Sequence, residues 1–75
     1  MKKPYISPWI SSTYPSTEDE DYSEVVLTRL EGGIVIPAKW DTTNKIWLFQ
    51  EIKDYQLTFE PLTEVNVVDW MYIPD

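Results

Sequence analysis

The chain has no cysteine and no histidine among its 75 residues, and this absence limits its possible folds more than any other feature. Small domains often compensate for a small core with disulfides or a bound metal. A disulfide cannot form here, and a structural zinc site is nearly excluded. Stability must come from packing or from a partner chain. The sequence therefore predicts one small domain, residues 1–75, with a core built from its four Trp, five Tyr and two Phe.

Strand formers and turn signals alternate from Glu24 onward. Gly32 and Gly33 stand where a hairpin needs positive φ, and residues 41–45 form a polar turn. No segment has a helical period over about 11 residues. The pattern predicts a mainly β fold, a small antiparallel sheet made of a three-stranded meander plus one or two strands. The predicted strands lie near residues 24–30, 34–40, 46–50 and 65–70.

Two parts of this predicted sheet allow two alternative arrangements each. Residues 55–59 alternate as a strand would and Pro61 would end it, but residues 51–64 also allow a long ordered loop. In the second strand Pro37 lacks a backbone donor, which predicts an edge position or a bulge there.

Residues 1–23 are irregular because prolines interrupt them and Ser and Thr are frequent. Apolar residues such as Ile6, Trp9 and Ile10 nevertheless make a free tail improbable. We expect an extended N-terminal arm laid across the core, followed by an exposed acidic loop at about residues 15–22. The candidate partner-binding residues in this part of the chain are Trp9, Glu18, Asp19, Glu20 and Asp21.

The last nine residues are too apolar for a frayed chain end. We expect Trp70 and Met71 to pack against the core, together with Trp40 and Trp47, while Trp9 on the arm is more open. Asp69 could be a buried hydrogen-bonding anchor or a recognition group, and because it alternates with Trp70 the strand period favours an exposed position. Asp69 is the sixth candidate partner-binding residue.

The formal net charge is −7, from 13 acidic and 6 basic residues. This balance argues against nucleic-acid binding and against docking on anionic membranes, and it permits a partner with a basic surface. No apolar run approaches the length of a membrane span, and Pro4 and Pro8 interrupt any signal-peptide core after Lys2 and Lys3. We expect a cytoplasmic protein.

Catalytic and metal-binding chemistry has little support in the sequence. There is no nucleophile elbow, no phosphate loop and no carboxylate pair that stands out, so we expect no enzyme, no catalytic residue and no cofactor. The run Glu18-Asp19-Glu20-Asp21 lacks the ligand spacing and central glycine of a calcium loop. We interpret it as a solvated loop, and we expect no metal.

Several short segments, in order along the chain, carry a resemblance to a known family. They are Trp9-Ile10-Ser11 followed by Pro15, Val25-Val26-Leu27 ahead of Gly32 and Gly33, Ala38-Lys39-Trp40 followed by Trp47, and Val68-Asp69-Trp70-Met71-Tyr72-Ile73-Pro74. This order resembles the short bacterial and phage proteins catalogued as domain of unknown function 551, which end in a V-x-H-W-M-P-L-P tail. The family's histidine is Asp69 here and its first tail proline is Tyr72. If that histidine has a chemical role in the family, this chain has lost or altered it. The resemblance implies a small β-rich fold and a phage or prophage setting, without a reaction.

Three functions compete at this point. The first is a non-catalytic module that binds or inhibits a host or phage protein, using the acidic loop and an exposed sheet edge. The second is an oligomeric protein that sequesters a small molecule such as a nucleotide, although few cations are available to hold phosphate. The third is a structural or assembly role, in which the sheet edge pairs with another copy.

Overall fold

The computed structural model describes residues 9–17 and 20–74, and these residues form a single open antiparallel sheet. The strand order is β4-β3-β2-β1-β5, which confirms the predicted mainly β fold. Within the described ranges, no helix is long and apolar enough to cross a membrane. The five strands of these ranges are β1 (Val26–Leu30), β2 (Val35–Asp41), β3 (Ile46–Lys53), β4 (Gln56–Glu60) and β5 (Val67–Tyr72).

The turns follow the chemistry of their residues. Gly32 and Gly33 join β1 to β2 with φ values of 100° and 95°, a region that residues with a Cβ rarely adopt. Between β2 and β3, the Asp41 carboxylate accepts hydrogen bonds from the backbone N–H groups of Thr43 and Asn44. Local sequence signals therefore fix two of the three hairpins.

The third hairpin settles the arrangement of residues 51–64. Asp54 and Tyr55, with φ values of 52° and 64°, form a two-residue turn between β3 and β4, and positive φ at both residues is the mark of a type I′ turn. The strand interpretation is confirmed for β4, and the residues after it form the connection to β5. The type I′ turn usually carries glycine or asparagine, so Tyr55 gives no local signal for it.

The position of Pro37 differs from the prediction. β2 lies between β1 and β3, so it is not an edge strand, and its pairing with β1 runs through Leu27↔Pro37 without a bulge. The pairing of β2 with β3 instead ends at Ala38↔Phe49. Because proline cannot donate to the ladder, Pro37 is accommodated where that ladder stops.

One face of the sheet, here called the covered face, carries the core. Alternation along the paired strands brings together on it Val26, Thr28, Leu30, Ile36, Ala38, Trp40, Trp47, Phe49, Val67 and Trp70. Thr28 is fully buried there, and its hydroxyl donates to the carbonyl of Ile36 at 2.7 Å. Even the polar residue of this face is thus satisfied.

The N-terminal arm packs on this face, as the sequence predicted for the part of the arm that the structure describes. Ile10 pairs with Trp70 beyond β5, and the indole N–H of Trp70 donates to the carbonyl of Thr13 at 2.9 Å. The ring of Tyr14 stacks on Trp40 with 3.8 Å between centroids. The arm therefore acts as part of the core, because it covers aromatic surface that the sheet would otherwise expose.

The connection from β4 to β5 also packs on the covered face. Val65 lies against the cluster of Leu30, Ala38 and Phe49, and the backbone N–H of Glu31 donates to the carbonyl of Asn66. Trp70 is buried on the covered face, which confirms that the tail packs against the core, and Met71 is buried on the other side of the same strand.

Candidate protein-binding surface

The opposite side of the sheet, here called the open face, is also rich in apolar side chains. Its residues, taken strand by strand, are Leu27 and Arg29, then Val35, Pro37 and Lys39, then Leu48, Gln50 and Ile52, then Leu57 and Phe59, then Asp69 and Met71. Most are half-buried or exposed, and Ile52 and Leu57 keep 75% and 58% of their surface accessible.

This pattern is unusual for a sheet that faces water on one side. Antiparallel sheets with a solvated face alternate apolar and polar residues, whereas sheets covered on both faces carry continuous apolar runs. The run from Ile46 to Phe49 in β3 is of the second kind. A contiguous exposed apolar surface usually marks an interaction site. The open face is therefore the candidate functional surface.

An ion pair lies among these apolar residues. Arg29 donates from Nε to Oδ1 of Asp69 at 2.9 Å and from Nη2 to Oδ2 of the same carboxylate. The hydrogen bonds that Arg29 donates to the carboxylate of Asp69 raise the pKa of Arg29 above its ordinary value. The ring of Trp9 covers the guanidinium, with 4.5 Å from the carbon atom Cζ to the ring centroid. A two-point hydrogen bond and a stacked ring together fix the orientation of Arg29.

The expectation of an exposed Asp69 is wrong. Its side chain is buried because Arg29 binds it across the β1–β5 pair. The alternation argument also placed Val68 on the face of Trp70, but the register shifts between Arg29 and Leu30, which pairs Leu30 with Val67 and leaves Val68 as an extra residue. A bulge of this kind changes which face the residues before it occupy.

A second cation lies at the other side of the open face. The ammonium of Lys39 is 4.6 Å from the ring centroid of Tyr22 and 4.5 Å from that of Phe59. Both rings hold this cation by cation–π attraction. Arg29 and Lys39 thus form two ordered cations on a surface whose other residues are mostly apolar.

The acidic residues lie beside this surface. Glu20 and Asp21 are exposed, as predicted, and the backbone N–H of Thr42 donates to the carbonyl of Asp21, which ties the loop to the β2–β3 turn. Pro15, placed at the start of the predicted loop, is instead buried. Glu18 and Asp19 lie outside the described residues.

Asp41 anchors the turn to which the acidic loop is tied. Its carboxylate accepts from the side-chain amide of Asn44 at 2.8 Å. That bond, with the backbone bonds from Asn44 and Thr43 and the nearby charge of Lys39, lowers the pKa of Asp41 below its ordinary value. The carboxylate therefore stays ionised at neutral pH and acts as a structural anchor.

Of the six candidate residues, the structure brings two together, Trp9 and Asp69, through an arginine that the sequence reading did not single out. Lys39 and the two rings that hold it were not predicted from the sequence either. An arginine inside a strand of apolar residues, as in Leu27-Thr28-Arg29-Leu30, could have signalled a need for a partner.

The chain matches no family model, and neither a curated protein nor a solved structure matches it.

A cleft of about 540 Å³ lies on the covered face, between the arm and the β4–β5 connection. Its lining includes the rings of Tyr14, Trp40 and Trp47, and hydroxyl groups from the arm and the connection. Among the described residues of this lining, Lys45 is the one cationic side chain. In the part of the chain that the structure describes, no group of three acidic residues could hold a metal ion.

Proposed function

We propose that this protein is a non-catalytic protein-binding module that docks its open face on a partner protein. The observation that carries the proposal is the apolar character of both faces of one sheet, of which the arm and the β4–β5 connection cover one. Burial of the exposed side chains on the open face would supply the favourable free energy of association.

The two ordered cations would give this docking its direction. Arg29 keeps 39% of its side-chain surface accessible although it is bound to Asp69 and covered by Trp9. An arginine that is already held loses little conformational freedom when a partner contacts it, and such residues are often hot spots. Lys39 between Tyr22 and Phe59 has the same property.

The acidic loop would attract a partner with a basic surface before contact. The net charge of −7 and the exposed side chains of Glu20 and Asp21 support this part of the proposal. Attraction of this kind raises the association rate and weakens with salt. Neutralising Glu18, Asp19, Glu20 and Asp21 to Gln or Asn should therefore slow association at low salt and remove most of its salt dependence.

Membership in the family catalogued as domain of unknown function 551 remains part of this proposal, and so does the phage or prophage setting. The tail Val68-Asp69-Trp70-Met71 supports it by its order of residues. Where the family has histidine, this chain has a carboxylate that binds Arg29. A small phage protein that inhibits a host protein by contact would need no catalytic group, which agrees with the residues available here.

The experiment compares a variant of the open face with a variant of Ile34, the residue directly before β2. Val35 belongs to the open face and is 48% exposed, whereas its neighbour Ile34 lies in the hairpin turn and is 64% exposed. We expect a Val35→Lys and Ile52→Lys double variant to lose the partners that the wild type recovers from host lysate, while Ile34→Lys keeps them. Each partner is identified by mass spectrometry and tested again as a purified protein. Equal recovery by both variants would remove the open face from the proposal.

The cleft on the covered face favours a second candidate function, the binding of a small molecule with a ring. Its volume lies within the usual range of ligand sites, and its aromatic floor could stack on a planar group. With Lys45 as the single cation among the described lining residues, a nucleotide would find little to hold its phosphates. A large thermal shift with nucleosides or nucleotides, reduced by Trp47→Ala, would favour this candidate over protein binding.

A further inference from the structure

We infer that the outer edge of β4 is a self-association site, at which two copies of this chain pair antiparallel about a two-fold axis at Thr58. β4 ends the strand order, and no other strand of the described residues pairs with its outer side. An uncovered edge of this kind presents free backbone donors and acceptors. The inference concerns a different surface from the proposed docking face and does not depend on it.

The edge lacks three of the features that usually prevent such pairing. β4 contains no proline, no lysine and no bulge in its register with β3. Natural edge strands are commonly protected by one of these. Pro61 comes directly after the strand, where it limits pairing to the five residues of β4. The outer edge of β4 can therefore pair along its whole length, and pairing stops just beyond the strand.

The hairpin geometry determines which backbone groups point outward. In a hairpin with a two-residue turn, the residues that flank the turn exchange hydrogen bonds with each other, and here these are Lys53 and Gln56. Bonding directions alternate along a strand, so the N–H and C=O groups of Leu57 and Phe59 point away from β3. Any antiparallel copy must therefore form its narrow hydrogen-bonded pairs at these two residues.

One register satisfies every opposed pair. When Thr58 faces Thr58 of a second copy, Leu57 faces Phe59 of that copy and Phe59 faces its Leu57, so four backbone hydrogen bonds form. Gln56 then faces Glu60, an amide beside a carboxylate. An apolar pair and an amide beside an acceptor are each favourable across strands. The Thr58 hydroxyl, which donates to the carbonyl of Glu51 in its own chain, places no like charges opposite one another on the axis.

The neighbouring registers that keep the outward groups paired are less favourable. With Leu57 on the axis, Glu60 would face Asp54, and like charges directly opposite are destabilising. With Phe59 on the axis, Leu57 would face Pro61, which has no N–H to donate. A two-fold interface at Thr58 is therefore selected both by attraction and by the exclusion of its alternatives.

The pairing would also join the two open faces. Leu57 and Phe59 point to the open face, and opposed residues of an antiparallel pair lie on the same side of the sheet. A ten-stranded sheet would result, with the exposed side chain of Leu57 covered by the ring of Phe59 from the second copy. A second copy, rather than an unrelated strand, is favoured because β4 is complementary to itself.

The test uses the two-fold relationship of Thr58 to itself. Sedimentation equilibrium over micromolar to millimolar concentrations should show a monomer–dimer equilibrium for the wild type. Thr58→Lys and Thr58→Glu should each weaken the dimer about fivefold or more, since each places like charges opposite one another. An equimolar mixture of the two variants should recover the dimer as a heterodimer, because the charges are then opposite.

Thr42→Lys and Thr42→Glu, in an exposed turn away from β4, are the matched controls and should dimerise like the wild type. Leu57→Pro removes an outward donor that β3 does not use, so it should be folded by circular dichroism and monomeric. A wild type that stays monomeric throughout, or Thr58 variants that dimerise like the wild type or fail to recover in the mixture, would overturn the inference. Partner binding by a monomeric Thr58→Lys variant would leave the docking proposal standing.

Discussion

Arg29 and Asp69, which are 40 residues apart in the chain, form a two-point ion pair that connects β1 to β5 on the open face. The pair holds together the first strand of the meander and the C-terminal strand, which have no hairpin between them. Trp9 closes the guanidinium from one side, so the same residue also fixes the beginning of the arm. Three distant parts of the chain meet at one arginine.

The ion pair should contribute to stability as a unit. Asp69→Asn should lower the melting temperature, because the half-buried Arg29 would lose the charge-assisted hydrogen bonds to its carboxylate partner. Arg29→Gln should also lower it, and the double variant should be less destabilised than the sum of the two single variants. Thermal unfolding of the four proteins, followed by circular dichroism, gives the coupling. Strictly additive effects would mean that the pair is not energetically linked.

How much of this arrangement the sequence could predict depends on the range of each interaction. The strands and two of the turns were predictable because Gly32, Gly33 and Asp41 act on their own neighbours. The burial of Asp69 was not, because it depends on Arg29, which lies 40 residues away in the chain and on the neighbouring strand. The face of Val68 was not predictable either, because Val68 is an extra residue that shifts the register. A two-residue period assigns strand residues to the two faces of a sheet, and this assignment reverses at each bulge.

The candidate site shows the same limit. Trp9 and Asp69 were predictable as unusual residues, but their association required the position of Arg29 on the neighbouring strand. Cation–π contacts such as that of Lys39 with Phe59 join separate strands and leave no local pattern. Pairings of this kind are set by tertiary register, which a single sequence does not encode in any short window.

Trp70 should be the most costly tryptophan to replace. It is 4% exposed, and its indole N–H donates to the carbonyl of Thr13. Trp70→Ala should destabilise the domain by about 3–5 kcal/mol, a large part of what a small domain holds. Trp9→Ala, at a half-buried position, should cost less and serves as the comparison. Urea denaturation monitored by circular dichroism gives both values, and equal losses for the two variants would contradict the assignment of Trp70 to the core.

Tyr55 should be replaceable by glycine with a gain in stability. Its side chain is fully exposed at the β3–β4 turn and its φ is 64°. The left-handed region costs about 1–2 kcal/mol for a residue with a Cβ, whereas glycine loses about 0.5–1 kcal/mol more backbone entropy on folding. Tyr55→Gly should therefore stabilise the domain by up to about 1 kcal/mol, measured by urea denaturation.

Tyr55→Ala is the control for that substitution, because it removes the ring and keeps the Cβ. Its stability should stay close to that of the wild type, since the ring is fully exposed. If Tyr55→Gly and Tyr55→Ala had the same effect, relief of the backbone conformation could not be the cause.

Asp41 should give the acid unfolding of this protein one identifiable component. Hydrogen bonds from Asn44 and Thr43 and the charge of Lys39 lower its pKa in the folded state below the ordinary value of 3.8. Between the two values the unfolded chain binds more protons than the folded chain, so stability falls as the pH falls. The contribution of Asp41 is complete above pH 3.8, decreases below it, and is lost once the pH passes below the folded-state pKa.

Asp41→Asn keeps a carbonyl oxygen for the N–H groups of Thr43 and Asn44 but cannot ionise. The variant should therefore be less stable than the wild type at pH 7, and the difference should shrink progressively below pH 3.8, as measured by urea denaturation at a series of pH values. Thr42→Ala, at an exposed residue of the same turn, is the control. It changes no ionisable group, so its difference from the wild type should change little over the same range. A difference between Asp41→Asn and the wild type that stays constant from pH 7 to the acid limit of folding would show that ionisation of Asp41 does not stabilise the turn.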